Sequence, residues 1–173
     1  PNVSGFQCDL SKYYDLQGAM QLALGQHAEA LLTQQKVRQI REQLVQSNPG
    51  VYAHVPELAF TYVTLAKFFE VSDPSAAEKL YRKAVLLQKD APDVPSHQEF
   101  LAAHLIGLGE FLKRQKRPDE AASIVKQAID IFDKLAVKFP HVGNYKTAPA
   151  YWRVEYGGFG PLKDPLASTP EQL

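Results

Sequence analysis

A tripeptide of proline, any residue and valine recurs along the chain, and its spacing limits the possible folds more than any other feature. The four copies are Pro1-Asn2-Val3, Pro49-Gly50-Val51, Pro92-Asp93-Val94 and Pro140-His141-Val142, which gives periods of 48, 43 and 48 residues. Seventeen residues after each proline stands a residue with little or no side chain, namely Gly18, Ala66, Gly109 and Gly157. Self-similarity at a period of 20–50 residues is typical of repeat proteins, so we expect a stack of similar units.

Each unit carries the pattern of two helices. At offsets of nine, thirteen and sixteen from the proline lie residues that share one face of an α-helix: Leu10, Leu58 and Leu101; Tyr14, Tyr62 and Leu105; Gln17, Leu65, Leu108 and Tyr156. A second helix is indicated by the anchor alanines Ala30, Ala77 and Ala121. We therefore predict an all-α chain with helices near 5–24, 27–46, 55–70, 74–89, 96–114, 118–138 and 149–156.

Local residues predict where some of these helices begin. Asp73-Pro74 and Arg117-Pro118 place a proline where a first helical turn tolerates it. Ser96 followed by Glu99 is the pattern of a capping box. The sequence therefore predicts helix starts at these three places.

The third unit has the clearest sequence pattern. It contains Leu108-Gly109-x-x-Leu112, then Ala121-x-x-x-Val125-x-x-Ala128, then Pro140. This pattern resembles the tetratricopeptide repeat (TPR), in the long-period form of bacterial arrays that often sit beside a Ser/Thr kinase domain. The resemblance implies antiparallel helical hairpins stacked in a right-handed superhelix, with three full units and a partial fourth. The units are expected at 1–48, 49–91, 92–139 and 140–157, followed by a Pro/Gly-rich, non-helical tail at 158–173.

The two end units depart from the pattern. The first has Gln17, Gln21 and Gln34 where apolar residues are usual, which indicates either a degenerate unit or a face that meets another domain. In the fourth, Pro149 replaces the leucine of the other units. We expect the tail, through Phe159, Pro161 and Leu162, to cover the apolar end of the stack or to dock on a neighbouring subunit. Because the chain starts at a repeat boundary, at Pro1, we also expect it to be a piece of a longer protein.

The resemblance implies a binding function on the concave surface, which is formed by the first helix of each unit. Projecting the repeat places these residues there: Lys12, Asp15, Phe60, Val63, Lys67, Glu70, Ile106, Glu110, Lys113, Arg114 and Tyr151. TPR clamps for a C-terminal carboxylate use Lys and Asn, whereas Asp15, Val63 and Ile106 stand at those places here. The expected partner is therefore another protein that presents a helix or an extended segment with apolar anchors.

Composition narrows the classes of partner. The 19 basic and 19 acidic residues give a formal net charge of zero, whereas nucleic-acid binders usually carry a basic surplus. No apolar run is long enough for a membrane helix, and no secretory leader is visible. We expect neither nucleic acid nor membrane insertion; a cytoplasmic location is favoured, although the sequence does not determine the compartment.

No catalytic or cofactor motif is found. None of the five histidines belongs to an H-E-x-x-H motif, and no Cys/His cluster has the spacing of a zinc site. His104 is expected at the edge of its hairpin, and Cys8, the only cysteine, is expected to be a small, partly buried thiol. We therefore expect no enzyme activity in this chain, no cofactor and no metal.

Three alternatives to a simple protein-binding module stay open. The chain could be the regulatory or sensor region of a larger enzyme such as a Ser/Thr kinase. It could be an RNA-binding helical repeat, which the balanced charge disfavours. It could also form a homo-oligomer or belong to a larger complex.

Overall fold

Seven α-helices and no β-strand make up residues 3–89 and 92–156, the parts of the chain that the computed structural model describes. The helices are α1 (Val3–Ala23), α2 (His27–Ser47), α3 (His54–Phe69), α4 (Pro74–Leu87), α5 (Pro95–Arg114), α6 (Pro118–Lys138) and α7 (Gly143–Tyr156). The prediction of an all-α chain is confirmed. The bounds of the first six helices agree with the predicted ones to within two residues.

The prediction of a short seventh helix near 149–156 is wrong at its start. The helix begins at Gly143 and continues through Pro149. A proline inside a helix removes one hydrogen bond and costs about 3 kcal/mol. Here Pro149 is fully buried, and Tyr145 packs with Leu135 and Ala136 of α6. This packing offsets the lost hydrogen bond.

Two of the three predicted helix starts are confirmed. The carboxylate of Asp73 accepts a hydrogen bond from the backbone N–H of Ala76 at 2.9 Å, and Pro74 is the first helical residue. Arg117 and Pro118 have the corresponding positions at the start of α6. Aspartate caps a helix because its oxygen satisfies an N–H that has no partner within the helix.

The predicted capping box at Ser96 is wrong. Helix α5 starts one residue earlier, at Pro95, after Val94 in an extended conformation, and no side chain caps it. Proline is favoured at the first helical position, so Ser96 falls inside the first turn. The carboxylate of Glu99 instead accepts a hydrogen bond from the Tyr145 hydroxyl of α7.

Consecutive helices pack against each other throughout the chain, and α3 also contacts α5. Because the connections are short, contacting neighbours run in roughly opposite directions. The α1–α2 and α5–α6 turns share one geometry, with Gly25 and Lys116 at positive φ. In each turn the following N–H bonds to the carbonyl five residues back, as in a Schellman motif. None of the described helices is long and apolar enough to cross a membrane.

The largest apolar cluster lies among α3, α4, α5 and α6. It consists of Ala66, Ala77, Tyr81, Leu108, Phe111, Leu112 and Ala121. The anchor alanines of the second helices, Ala30, Ala77 and Ala121, are completely buried, as the repeat pattern predicts. A Cβ on Gly109 would come closer than 3.0 Å to Cγ2 of Val125, so α5 approaches α6 as closely as a glycine allows.

The interface between α1 and α2 is polar by comparison. Gln34 is buried and donates to the carboxylate of Asp15 at 3.2 Å, and the Thr33 hydroxyl donates to Gln21 at 2.8 Å. Arg41, also buried, forms an ion pair with Asp15. Two of the glutamines that stand out in the sequence of the first unit thus hydrogen-bond between its two helices.

Candidate functional site

The eleven residues expected on the concave surface lie on α1, α3, α5 and α7, with Glu70 directly after the last residue of α3. Two ion pairs join these helices. Arg114 of α5 donates to Glu70 of α3 at 2.8 Å, and Lys113 of α5 donates to Glu155 of α7 at 2.5 Å. The hydrogen bond to Glu155 raises the pKa of the Lys113 ammonium, with smaller contributions from Tyr156 and Tyr151. The exposed side of α5 is therefore linked to both α3 and α7.

Six of the eleven side chains are engaged in contacts within the chain. Asp15 is bound to Arg41 and Gln34, and Val63 and Ile106 pack partly buried against the apolar clusters. Glu70, Lys113 and Arg114 form the ion pairs between helices. The hydroxyl of Tyr81 also donates to Glu70 at 2.6 Å; burial and this hydrogen bond raise the pKa of Tyr81.

The other five side chains face solvent. Phe60 and Tyr151 are 57% and 61% exposed, and Lys12, Lys67 and Glu110 are exposed as well. Among the described residues, none of the three charged groups has an ion-pair partner. This set, which we name the open surface, offers two aromatic anchors together with charges of both signs.

A network of four charged residues ties α4 to the start of α6. Arg117 and Arg82 donate to Glu78 at 2.6 Å and 2.8 Å, and both also pair with Glu120. The hydrogen bond from Arg117 lowers the pKa of Glu78, and those from Arg82 and Arg117 lower that of Glu120. Because each charge has an opposite partner, this network is a structural contact and offers no free charge to a ligand.

A cleft of about 650 Å³ separates α4 from α6 and has α5 as its floor. No Cα of α4 lies within 8 Å of a Cα of α6, so the two helices stand apart. The cleft is lined by Arg82, Val85, Leu86, Lys89, Leu101, Leu105, Leu108, Ile124, Gln127, Asp130, Ile131 and Lys134. The sequence did not predict it, because repeat spacing locates apolar faces and not the gaps between second helices.

The expectation that His104 lies at the edge of its hairpin is wrong. Its side chain is buried between α4 and α5 and is only 5% exposed. Its Nδ1 donates to Oε1 of Gln88, which is also buried, at 2.5 Å. Burial lowers the pKa of His104 to about 4, so the ring is neutral at physiological pH. The pairing with Gln88 crosses two helices, so sequence spacing on one helix could not show it.

Three residues with metal-binding side chains meet where α1 faces the start of α3. The Cys8 thiol is partly buried, as predicted, and its Sγ lies 3.7 Å from Nδ1 of His54. One ligand atom each from Cys8, His54 and Glu57 lie within 4.8 Å of one another. Forty-six residues separate Cys8 from His54, so a search for local zinc spacing missed the group.

A row of exposed apolar side chains runs along α1. Phe6, Tyr13, Leu16 and Met20 are between 60% and 69% exposed. The seven-residue spacing of Phe6, Tyr13 and Met20 is visible in the sequence and could have predicted the row. This row is a second exposed surface, and it is mostly apolar, with the exposed Asp9 between Phe6 and Tyr13 on the same face.

The expected cover formed by Phe159, Pro161 and Leu162 lies outside the described residues. No protein-family model matches the chain, and no curated protein is significantly similar to it.

Proposed function

We propose that the chain is a protein-binding module, built as a right-handed TPR-like stack of three helical hairpins and a final helix. In this proposal the first helices α1, α3, α5 and α7 line a concave surface. A segment of another polypeptide lies on that surface, with apolar side chains against Phe60 and Tyr151. The units correspond to residues 1–48, 49–91, 92–139 and 140–157.

The observation that carries the proposal is that six of the eleven candidate residues make contacts within the chain, whereas the other five face solvent. Glu70, Lys113 and Arg114 hold neighbouring first helices together, whereas the open surface leaves its side chains to solvent. Exposed aromatic side chains on a rigid support are favoured as binding anchors, because little conformational entropy is lost when they are covered. Lys67 and Glu110 would select the charge pattern of the bound segment.

The same arrangement also suits a regulatory region of a larger enzyme. In that case the bound segment would belong to the enzyme to which this chain is joined. The RNA-binding alternative has less support, since the formal net charge is zero and the four-residue network around Arg82 and Arg117 neutralises its own charge.

A display library of random peptides tests the proposal without a known partner. Selected peptides would be measured by fluorescence anisotropy against the parent chain, Phe60→Ala, Tyr151→Ala and the control Leu86→Ala. Leu86 is a suitable control because it is 66% exposed on α4 and lines the cleft instead. Removing a central aromatic anchor costs about 2 kcal/mol or more, so at least one of the two aromatic variants should bind about 30-fold more weakly.

Binding weakened by Leu86→Ala and by neither aromatic variant would place the peptide in the cleft and refute the proposed surface. Failure to select any peptide would count against the protein-binding proposal. A salt-dependent affinity for RNA in a parallel filter-binding assay would favour the RNA-binding alternative.

The apolar row on α1 favours self-association as a second property. An antiparallel α1–α1 pair would place Tyr13 against Leu16 of the other copy, and Phe6 against Ala23. The same register would place Met20 against the exposed Asp9 of the other copy, so the apolar contacts would be concentrated at the Tyr13–Leu16 centre. Each of the four exposed side chains offers on the order of 100 Å², so the pair would bury about 800 Å² in total. That is below the roughly 1,000 Å² of a stable specific interface, so we expect only a weak dimer.

Sedimentation equilibrium tests self-association directly. The parent chain should dimerise at micromolar concentration, and Tyr13→Glu should be monomeric. Val137→Glu is the matched control, because Val137 is 67% exposed on α6 and far along the chain from the row. A monomeric parent chain, or a dimer that persists in Tyr13→Glu, would rule out this interface.

A further inference from the structure

Helices α1 and α3 meet through side chains alone. No Cα of α1 lies within 8 Å of a Cα of α3, although α3 does approach α5 that closely. Yet Cys8 of α1 lies within 3.7 Å of His54 of α3, and Glu57 is one turn further along α3. We propose that Cys8, His54 and Glu57 bind a zinc ion that joins the first hairpin to the second.

The distance between the first two ligands is suited to a tetrahedral zinc ion. Zinc binds sulfur at about 2.3 Å and imidazole nitrogen at about 2.0–2.1 Å, which places the two ligand atoms about 3.6 Å apart at a tetrahedral angle. The separation of Cys8 Sγ from His54 Nδ1 is 3.7 Å. Almost no movement of either side chain is therefore needed.

The third ligand comes from the same face of α3. His54 and Glu57 are three residues apart, and residues at that spacing are neighbours on a helix surface. The carboxylate is supplied within the first turn of α3, where the backbone is held by the hydrogen bonds of the helix start. The three ligand atoms lie within 4.8 Å of one another, which a rotation of the Glu57 side chain can close.

Glu57 has an oxygen that the chain leaves without a hydrogen bond. Its Oε2 is inaccessible to solvent, and Nε of Arg41 stands 3.9 Å away, beyond hydrogen-bond distance. Arg41 is thus an ion-pair partner of this oxygen but gives it no hydrogen bond, and a buried carboxylate oxygen that accepts no hydrogen bond is unfavourable because its hydration is lost. A metal ion would coordinate this oxygen directly.

Arg41 is the positive charge that lies beside Glu57, and its closer ion pair is with Asp15. Its guanidinium forms an ion pair with Asp15 and donates to the Thr61 hydroxyl at 2.8 Å. Asp15 and Arg41 cancel, which leaves the Glu57 carboxylate and a Cys8 thiolate to face the metal. These two negative charges balance one divalent cation.

The ligand types select the class of metal. A thiolate and an imidazole are poor ligands for Mg²⁺ or Ca²⁺, which prefer oxygen. Thiolate, imidazole and carboxylate together suit Zn²⁺, and three protein ligands leave a fourth position for water or a further group. In the part of the chain that the structure describes, no other three such residues come together in this way.

The proposed ion would act as a cross-link. It would connect α1 to α3 at a point where their backbones do not touch, and so reinforce the polar α1–α2 hairpin. This role does not depend on peptide binding at the open surface, so the two proposals can fail separately.

Metal titration of the reduced 173-residue chain tests the site. Zn²⁺ should bind with one ion per chain in competition with a chromogenic chelator. Co²⁺ should give the intense visible bands of tetrahedral coordination and a thiolate-to-metal charge-transfer band in the near ultraviolet. Cys8→Ser should lose the charge-transfer band, and Cys8→Ser, His54→Ala and Glu57→Gln should each bind zinc at least about tenfold more weakly.

His141→Ala is the matched control, because His141 is an exposed histidine outside the group and its removal should leave zinc affinity unchanged. Circular dichroism of each variant without metal separates loss of a ligand from loss of fold. Glu57→Gln keeps the side-chain shape, so it remains informative if Cys8→Ser or His54→Ala unfolds. A six-coordinate cobalt spectrum, or equal zinc affinity in the parent chain and Glu57→Gln, would overturn the proposal.

Discussion

Two glycines of α5, two residues apart, should respond in opposite ways to the same substitution. A Cβ at Gly109 would meet Cγ2 of Val125 at less than 3.0 Å and the carbonyl oxygen of Ala121 at 3.3 Å. A Cβ at Gly107 would meet only Cε1 of Tyr81, at 3.6 Å, which is an ordinary contact. Gly109→Ala therefore tests the close approach of α5 to α6, and Gly107→Ala is its control.

The magnitudes follow from two opposing terms. Replacing glycine by alanine inside a helix stabilises it by about 1 kcal/mol. Overpacking a core costs about 1–3 kcal/mol, and the upper end applies at Gly109 because Val125 is buried and its β-branched side chain has one strongly preferred rotamer in a helix. Gly109→Ala should thus be about 2 kcal/mol less stable than the parent chain, and Gly107→Ala up to about 1 kcal/mol more stable.

Urea unfolding followed by circular dichroism measures both changes, and thermal unfolding provides a second reading. For a domain of this size 1 kcal/mol corresponds to about 2–4 °C, so Tm should fall by about 4–8 °C in Gly109→Ala and rise by about 2–4 °C in Gly107→Ala. If the two variants had the same stability, the close contact between α5 and α6 would not exist and the argument would be refuted.

Three further predictions concern single residues or one hairpin. Burial lowers the pKa of His104 to about 4, so the folded state binds fewer protons than the unfolded state, and up to about 3 kcal/mol of stability should be lost as pH falls from 6.5 to 4. Urea unfolding of His104→Gln should show a correspondingly weaker pH dependence. A pH dependence equal to that of the parent chain would contradict the burial of His104. Asp73→Ala removes the side-chain cap of α4 and should lower the free energy of unfolding by about 1 kcal/mol, whereas Asp93→Ala, a change at an exposed aspartate in the next connection, should lower it by less. In hydrogen exchange, amides of the polar α1–α2 hairpin should exchange faster than those of α5–α6. Equal protection would show that the buried Gln34 does not lower the local stability of the α1–α2 hairpin.

The helix pattern could be predicted from sequence because it depends on local rules. Leucines, alanines and glycines at fixed offsets mark the buried faces, and Asp73 and Arg117 mark helix starts through their own neighbours. These local rules predicted the wrong helix start at two places, where a second structural preference opposed them. At Ser96 the preference of Pro95 for the first helical position prevailed over the capping box, and at Pro149 tertiary packing prevailed over the tendency of proline to end a helix.

The candidate site was less predictable because it depends on which charges pair between helices. Projection onto one helix placed Asp15 and Glu70 on the expected surface but could not show that Arg41 and Arg114 bind them. The pairing of His104 with Gln88 has the same origin. Such contacts depend on how far one helix slides and rotates against the next, and spacing within a helix contains no information about that.

The group of Cys8, His54 and Glu57 shows the same limit most clearly. Each residue alone has an ordinary structural explanation, and only the approach of α1 to α3 brings them within reach of one ion. A sequence search would need to test pairs of first helices in successive units, not residues that are close in the chain.

Nuclear magnetic resonance mapping of a selected peptide tests most directly whether the open surface binds a polypeptide. On titration, amide and side-chain shifts should change most at Phe60, Lys67, Glu110 and Tyr151, on α3, α5 and α7. Changes concentrated instead around Leu86 in the cleft, or at the exposed row of Phe6, Leu16 and Met20 on α1, would contradict the claim and assign the binding to another face.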